Sequence, residues 1–195
     1  MTDAALHILV IDDNVVRASV IEEGLRDAGH NTVTIVTDMR QLLAQIARAD
    51  PDVIFIDLEN PNRDVLEQMF HVSRTVRRPV AMFVDQSDKA SIEAAIDAGV
   101  SAYVVNGMSK ERVKPILDMA ISRFNAFHRL RDELDRAKQA LEDRKIIDKA
   151  KGILMKNRNI SEEDAYALLR KTAMNESRRM ADVARGLVTA AKLLG

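Results

Sequence analysis

HILVIDD at residues 7–13 and DVIFID at residues 52–57 decide the fold of this chain. Each holds four consecutive β-branched or apolar residues, ends on aspartate and is followed by residues at helical spacing. Short continuous apolar runs of this kind are strands buried on both faces, the state of a parallel sheet covered by helices. Working outward, the alternation repeats. VVRASVIEEGLRDAGH (15–30) reads as a helix stopped by Gly29, TVTIVT (32–37) as a strand, and MRQLLAQIARAD (39–50) as a helix ended before Pro51. After DVIFID come the helix RDVLEQMFHVSRTV (63–76), the strand PVAMFV (79–84), the helix KASIEAAIDAG (89–99) and the strand SAYVV (101–105), with a further helix beginning near Ser109.

Strands alternating with helices imply βαβ crossovers, so the first part of the chain is expected to be α/β. The specific expectation is a flavodoxin-like, doubly wound, five-stranded parallel sheet with its functional edge at the carboxyl ends of the strands. From Lys110 to about Asn157 the only strong breaker is Pro115, which is compatible with a first helical turn. Within this stretch Phe127, Leu130, Leu134, Ala137 and Leu141 follow 3,4,3,4 spacing between charged residues. That is a coiled-coil seam of about two to three heptads, or else the face of a helix lying on its own α/β domain. Gly152 weakens the middle of the continuing pattern. Beyond Asn157–Asn159, Ser161-Glu-Glu-Asp opens another helix with a capping-box-like start, carrying Ala165, Leu168, Leu169 and Ala173 inward. Asn175-Glu-Ser breaks it, and Met180, Val183, Ala184, Leu187, Val188 and Ala191 mark a last amphipathic helix. The expected organisation is an α/β domain over 1–122, a coiled-coil linker helix over 123–143 and a small three-helix, all-α domain over 144–195.

Composition narrows the class. The 195 residues are 47% hydrophobic and 30% charged, the balance of a folded protein rather than a disordered one. With no cysteine there is neither a disulfide nor thiolate chemistry, and a reducing cytoplasm is the expected setting. MTDAALHILVIDD lacks the basic-then-apolar order of a secretory leader, and runs such as ILVI fall far short of the roughly 18 apolar residues of a membrane span. The net charge of −1 hides a split: residues 1–122 hold 12 Lys+Arg against 19 Asp+Glu, a net of −7, and residues 123–195 hold 17 against 11, a net of +6. An acidic module is thus joined to one suited to an anionic partner, although plain surface charge gives the same numbers.

The first cluster with chemical meaning is Asp12 and Asp13 at the end of the first strand with Asp57 at the end of the third. Neighbouring strands would bring the three carboxylates together, where they repel unless a hard cation such as Mg²⁺ neutralises them. Beside a metal, Asp57 is placed to attack a phosphoryl group and become an acyl phosphate. The plainer alternative is that these acids only cap loops. Here ILVIDDN, DVIFIDLENPNRD, PVAMFVD and AGVSAYVVNG resemble the receiver domain of bacterial response regulators over roughly residues 5–122. The resemblance implies that Asp57 is the phospho-acceptor, that Asp12, Asp13 and Asp57 form the metal site, and that Tyr103 is the aromatic switch. The chain departs from the receiver pattern where a Thr or Ser normally follows the fourth strand, which is Val84, and where a Lys-Pro normally ends the fifth, which is Asn106-Gly107. Without that hydroxyl and ammonium, a phosphorylated Asp57 loses two partners, which favours regulation by a bound protein.

The tail holds the second cluster. Ala150-Lys151-Gly152-Ile153-Leu154-Met155, then Ser161, Glu163, Ala165, Tyr166, Leu169, Arg170 and Ala173, and finally Ala181-Asp182-Val183-Ala184, resemble the ANTAR domain, a three-helix RNA-binding module of transcription antiterminators. RNA is read by cations on phosphates and by stacking on aromatic or guanidinium planes. The candidates are Lys145, Lys149, Lys151 and Lys156 on the first tail helix, Arg170 and Lys171 on the second, and Arg178 and Arg179 before the third. Tyr166, the only aromatic residue of the tail, is the stacking candidate. Charged residues on small helices are more often only solvated, and Tyr166 is about as well explained by half-buried packing. The four His show no metal-ligand spacing, and no phosphate loop or nucleophile elbow is present, so catalysis is not expected.

DLENPNRDVLEQM (57–69) and AYVVNGMSKERVKPILDMAISRF (102–124) are similar to the nitrate/nitrite-assimilation (NasT-type) antiterminators of this family. That similarity implies a dimer, or a complex with a nitrate/nitrite-sensing NasS-type protein, binding paired stem-loops in a nascent leader RNA. The competing readings are a DNA-binding response regulator activated by phosphorylation at Asp57 and a protein-docking adaptor.

Overall fold

The structure, a computed structural model, describes residues 6–59, 61–106 and 109–194. It divides into two compact units, Met1–His128 and Arg129–Gly195.

The first unit contains β1 (His7–Ile11), α1 (Val15–Asp27), β2 (Thr32–Val36), α2 (Leu42–Ala49), β3 (Val53–Leu58), α3 (Arg63–Thr75), β4 (Val80–Val84), α4 (Lys89–Asp97), β5 (Ala102–Val105) and the start of α5 (Lys110–Arg158). The five strands form one parallel sheet in the order β2-β1-β3-β4-β5, which is the expected doubly wound architecture. Because side chains alternate along a strand, each run supplies two cores. Ile8, Val10, Phe55, Phe83 and Val104 pack against Ala18, Ile21 and Leu25 of α1 and Val113, Ile116 and Leu117 of α5. Leu9, Ile11, Ile54, Ile56 and Met82 pack against Leu42 and Ile46 of α2, Met69 and Phe70 of α3 and Ala95 of α4. Phe55 and Phe83 meet edge to face at 5.5 Å between ring centroids.

Local chemistry sets where the helices begin and end. The Asn14 side chain accepts from the backbone N–H groups of Val16 and Arg17, which starts α1. The helix ends at Asp27, three residues short of the stretch read from the sequence, because Gly29 turns the chain at φ +95°. α2 also starts late. The Asp38 carboxylate accepts from the Arg40 backbone and side chain, and Gln41 adopts φ 53°, so Met39 lies outside the helix and Arg40–Gln41 form a turn instead of the expected first helical residues. Pro115 sits beyond the first turn of α5, inside the helix, where it removes one backbone hydrogen bond.

The second unit consists of the rest of α5, α6 (Glu162–Asn175) and α7 (Met180–Leu194). Ser161 caps α6 by accepting from the Asp164 N–H at 3.1 Å while donating to its carboxylate at 2.7 Å, as the sequence spacing predicts. Ala150, Leu154, Ala165, Leu169, Ala184 and Val188 form the buried core, with Ile146, Ile147, Leu168, Val183 and Leu187 around it. Three fully buried alanines let the helices approach closely. α5 continues through Gly152 without a break.

Candidate functional site

Val10 and Phe55 are register partners on β1 and β3, and both side chains face α1 and α5. Two residues further on, period-two alternation puts Asp12 and Asp57 side by side on that same face, at the carboxyl edge of the sheet. Asp12 is fully buried and Asp57 nearly so, at 4% exposure. Asp13, one residue out of phase, is exposed. Asp12 Oδ1 accepts from the Asn14 backbone N–H at 2.8 Å. Burial first, then the neighbouring Asp12 charge, push the Asp57 carboxyl up to about 6 despite the opposing pull of Arg17.

Arg17 is the residue that motif matching misses. One turn into α1, its guanidinium reaches back over the sheet edge. Nη2 donates to Asp12 Oδ1 at 2.8 Å and to Asp13 Oδ1 at 2.9 Å, and Nε donates to Asp12 Oδ2 at 3.4 Å. Nη1 donates to Glu59, and Nε lies 3.8 Å from Asp57 Oδ2. The Asp12 hydrogen bond holds the guanidinium proton even more firmly than usual. The only sequence signal was the four-residue spacing from Asp13 on the first turn of a helix, which brings a long side chain back to the strand end. Mg²⁺ does not fit this arrangement as it stands. Among the described residues no three His, Cys, Asp or Glu side chains are grouped to hold a metal ion, and a cation already lies among Asp12, Asp13 and Asp57.

The switch positions lie elsewhere. Val84, beside Leu58 in register, is buried in the core under α3 and α4. Tyr103 packs partly buried on that same face, and its hydroxyl hydrogen-bonds Ser87 Oγ at 2.9 Å. Ser87 therefore meets the aromatic side chain with a hydroxyl three residues after Val84. Asn106 is exposed with φ 73°, a left-handed conformation that Asn tolerates far better than Lys. Gly107 lies outside the described residues.

In the tail unit the candidate RNA contacts separate into two groups. Lys151 is only 14% exposed and its ammonium bridges Asp148 and Glu162, both at 2.7 Å, joining α5 to the first turn of α6. Arg179 pairs with Asp182 at 3.1 Å and lies 3.9 Å from Asp143, which Arg185 also meets at 3.3 Å. Arg178 pairs with Glu176 at 2.9 Å, and Lys145 with Glu142 at 3.0 Å. Lys149, Lys156, Arg170 and Lys171 are exposed and make no ion pair among the described residues. Arg170 and Lys171 line an open cavity of about 370 Å³ on α6 with Tyr166, Met174, Glu163 and Asn175. Tyr166 is 44% exposed and Met174 70% exposed, so this face offers a ring, a thioether and two cations to solvent. On α5, Phe127, Leu130, Leu134 and Leu141 are all more than half exposed, and Ala137 is exposed.

Residues 8–118 match the response regulator receiver domain family, and residues 135–188 match the ANTAR domain family. The chain belongs to the ANTAR-domain response regulators. It is similar to the transcriptional regulatory protein PdtaR of Mycobacterium tuberculosis, 28% identical over 184 residues spanning 93% of this chain and 90% of that one. It is also similar to the nitrate regulatory protein of Klebsiella oxytoca, 40% identical over 76 residues, which are 39% of this chain and 19% of that protein. The first unit of the regulator has the fold of a CheY-like receiver from Methanospirillum hungatei, with TM-score 0.53, 16% identity and 63% and 99% of the two chains covered. None of the regulator's described helices is long and apolar enough to cross a membrane.

Proposed function

We propose that this regulator is a cytoplasmic RNA-binding transcription antiterminator. Its ANTAR unit takes hold of paired stem-loops in a nascent leader RNA and so prevents a terminator hairpin from forming. The observation that carries the reading is the α6 face, where Tyr166, Arg170 and Lys171 line one open cavity and neither cation makes an ion pair among the described residues. That combination suits a splayed base and its phosphates. The matched ANTAR family supplies the class of target, and similarity to the nitrate regulatory protein supports a role in nitrate/nitrite assimilation genes. The exposed stripe Phe127, Leu130, Leu134, Ala137 and Leu141 is the pairing surface of a homodimer, which brings two ANTAR units to two hairpins and raises the effective concentration for the second contact. A nitrate/nitrite-sensing NasS-type protein competes for the regulator and holds it inactive. With Val84 and Asn106 at the read-out positions, Asp57 is not the input, and protein binding replaces phosphorylation.

The test is a titration of the full chain against a two-hairpin leader RNA and a DNA duplex of equal length at two salt concentrations. Binding to RNA that survives the higher salt and is lost when the loops are mutated supports the reading. Equal, salt-sensitive binding to both reduces the tail to a basic patch and refutes it.

A further inference from the structure

We infer that the Arg17 guanidinium is the resident cation of the receiver's acidic pocket, occupying the position where Asp12, Asp13 and Asp57 would otherwise bind a divalent metal. The regulator's pocket thereby carries a cation of its own, whether or not Mg²⁺ is present.

Donor geometry carries the argument. A guanidinium presents five N–H groups in a planar fork, and here Nη2, Nε and Nη1 are all engaged with carboxylates. They reach the buried Asp12 through two hydrogen bonds, Asp13 and Glu59 through one each, and Asp57 at 3.8 Å. Mg²⁺ requires near-octahedral oxygens at about 2.0–2.1 Å, so it cannot share these carboxylates with a guanidinium lying between them. The guanidinium would have to leave, and several features hold it in place. Its backbone N–H is hydrogen-bonded to Asn14, the next residue, Ala18, is fully buried, and the side chain itself is only 25% exposed. Deprotonation offers no release, because an arginine carries its charge at every accessible pH. A metal entering the pocket must therefore break several charge-assisted hydrogen bonds before it forms one coordination bond, and losing even one such bond weakens binding about tenfold or more.

Mn²⁺ serves as the probe, because the electron spin resonance signal of the free ion reports directly how much the full-length protein takes up. The wild-type chain is expected to leave Mn²⁺ free through about the millimolar range. Arg17→Met should bind one ion at least tenfold more tightly, and Arg17→Met with Asp57→Asn should lose it again. Wild-type uptake as tight as that of Arg17→Met overturns the inference. So does a folded Arg17→Met chain that binds none, since something other than Arg17 would then be excluding the metal. Should Arg17→Met fail to fold, Arg17→Lys decides the matter. Its compact ammonium cannot serve four carboxylates at once, so it should gain Mn²⁺ affinity over wild type, and no gain overturns the inference.

Discussion

Alanine substitution at Arg170 and at Lys151 should have opposite signatures, although both residues sit in the ANTAR unit and both matched the family pattern. Arg170 is exposed on the α6 cavity and makes no ion pair among the described residues, so its removal should leave folding stability within about 0.5 kcal/mol. If its guanidinium meets an RNA phosphate, one contact releases about 0.7 counterion for single-stranded RNA. That amounts to about a fivefold loss of affinity at 0.1 M salt but only about twofold at 0.3 M, with the salt slope flattened by about 0.7. If instead it stacks on a base, the loss should be about tenfold at both concentrations with the slope unchanged. Lys151 is already committed to Asp148 and Glu162. Its alanine variant should therefore lower the melting midpoint, by freeing two carboxylates at the α5–α6 junction, and leave the salt slope intact. The assay is filter binding or fluorescence anisotropy on a two-hairpin RNA across a salt series, with thermal melts of each variant. A Lys151→Ala variant that flattens the slope as much as Arg170→Ala would refute the assignment by ion pairing. An Arg170→Ala variant with wild-type affinity at both salts would remove the cavity from the RNA interface.

Three further outcomes follow from the geometry. Gly24→Ala would place a Cβ 2.7 Å from Val113 Cγ2 and 3.1 Å from the Lys110 carbonyl, so despite a gain of about 1 kcal/mol in helix propensity it should destabilise the receiver by about 1–2 kcal/mol in urea unfolding. Asp57, raised to about 6 from 3.8, binds its proton more readily when folded, so its contribution to stability is full below about pH 4 and is lost as the pH rises through about 6. With EDTA present, Asp57→Asn should abolish that component and be about 1–2 kcal/mol more stable than wild type at pH 7, after discounting for solvent screening, and equal stability at pH 7 would contradict the raised value. Replacing exposed Leu134 and Leu141 with glutamate should yield a folded monomer with weakened RNA binding by sedimentation and anisotropy, and unchanged affinity in that monomer would discard pairing as a requirement.

The fold was legible because it depends on period and length. ILVI, VIFI and VAMFV announce strands buried on both faces, and the β1–β3 adjacency that unites Asp12 with Asp57 follows from doubly wound order alone. The ANTAR core was equally open to reading, since Ala165, Leu169, Ala184 and Val188 carry helical spacing onto a buried face. What stayed hidden depends on the direction of side chains. No periodicity distinguishes Lys151, tied into two ion pairs, from Lys149, which is exposed only two residues away, about half a turn around the same helix. Arg17 looks like any surface arginine of an amphipathic helix until α1 is placed over the sheet edge. The late start of α2 likewise turns on one residue, Gln41, whose left-handed backbone at φ 53° keeps the helix from beginning before Leu42.

The receiver departures make sense together once charge is followed rather than motif. A buried pair such as Asp12 and Asp57 needs a counter-charge, which a metal, a lysine from the end of the last strand, or a neighbouring helix can provide. At Asn106 the backbone runs at φ 73°, which costs a lysine more than an asparagine, and the positive charge comes from Arg17 on α1 instead. The cation is carried by α1, which packs with α5 on the face of the sheet that also bears Asp12 and Asp57. There α1 is fastened to α5 twice: Gly24 lets Val113 and the Lys110 carbonyl approach, and Lys110 meets Glu23 at 2.7 Å and Asp27 at 2.8 Å. The exposed end of this linkage is Glu59 together with Val15 and Val16, which are 62% and 75% exposed. A protein that engages Glu59 removes one of Arg17's partners and bears on α1, and α1 bears on the helix that continues into the ANTAR unit. Under the protein-binding input proposed above, a partner at this edge would need neither a phosphoryl group nor the missing lysine, because the pocket's cation is already carried by the element that packs against α5.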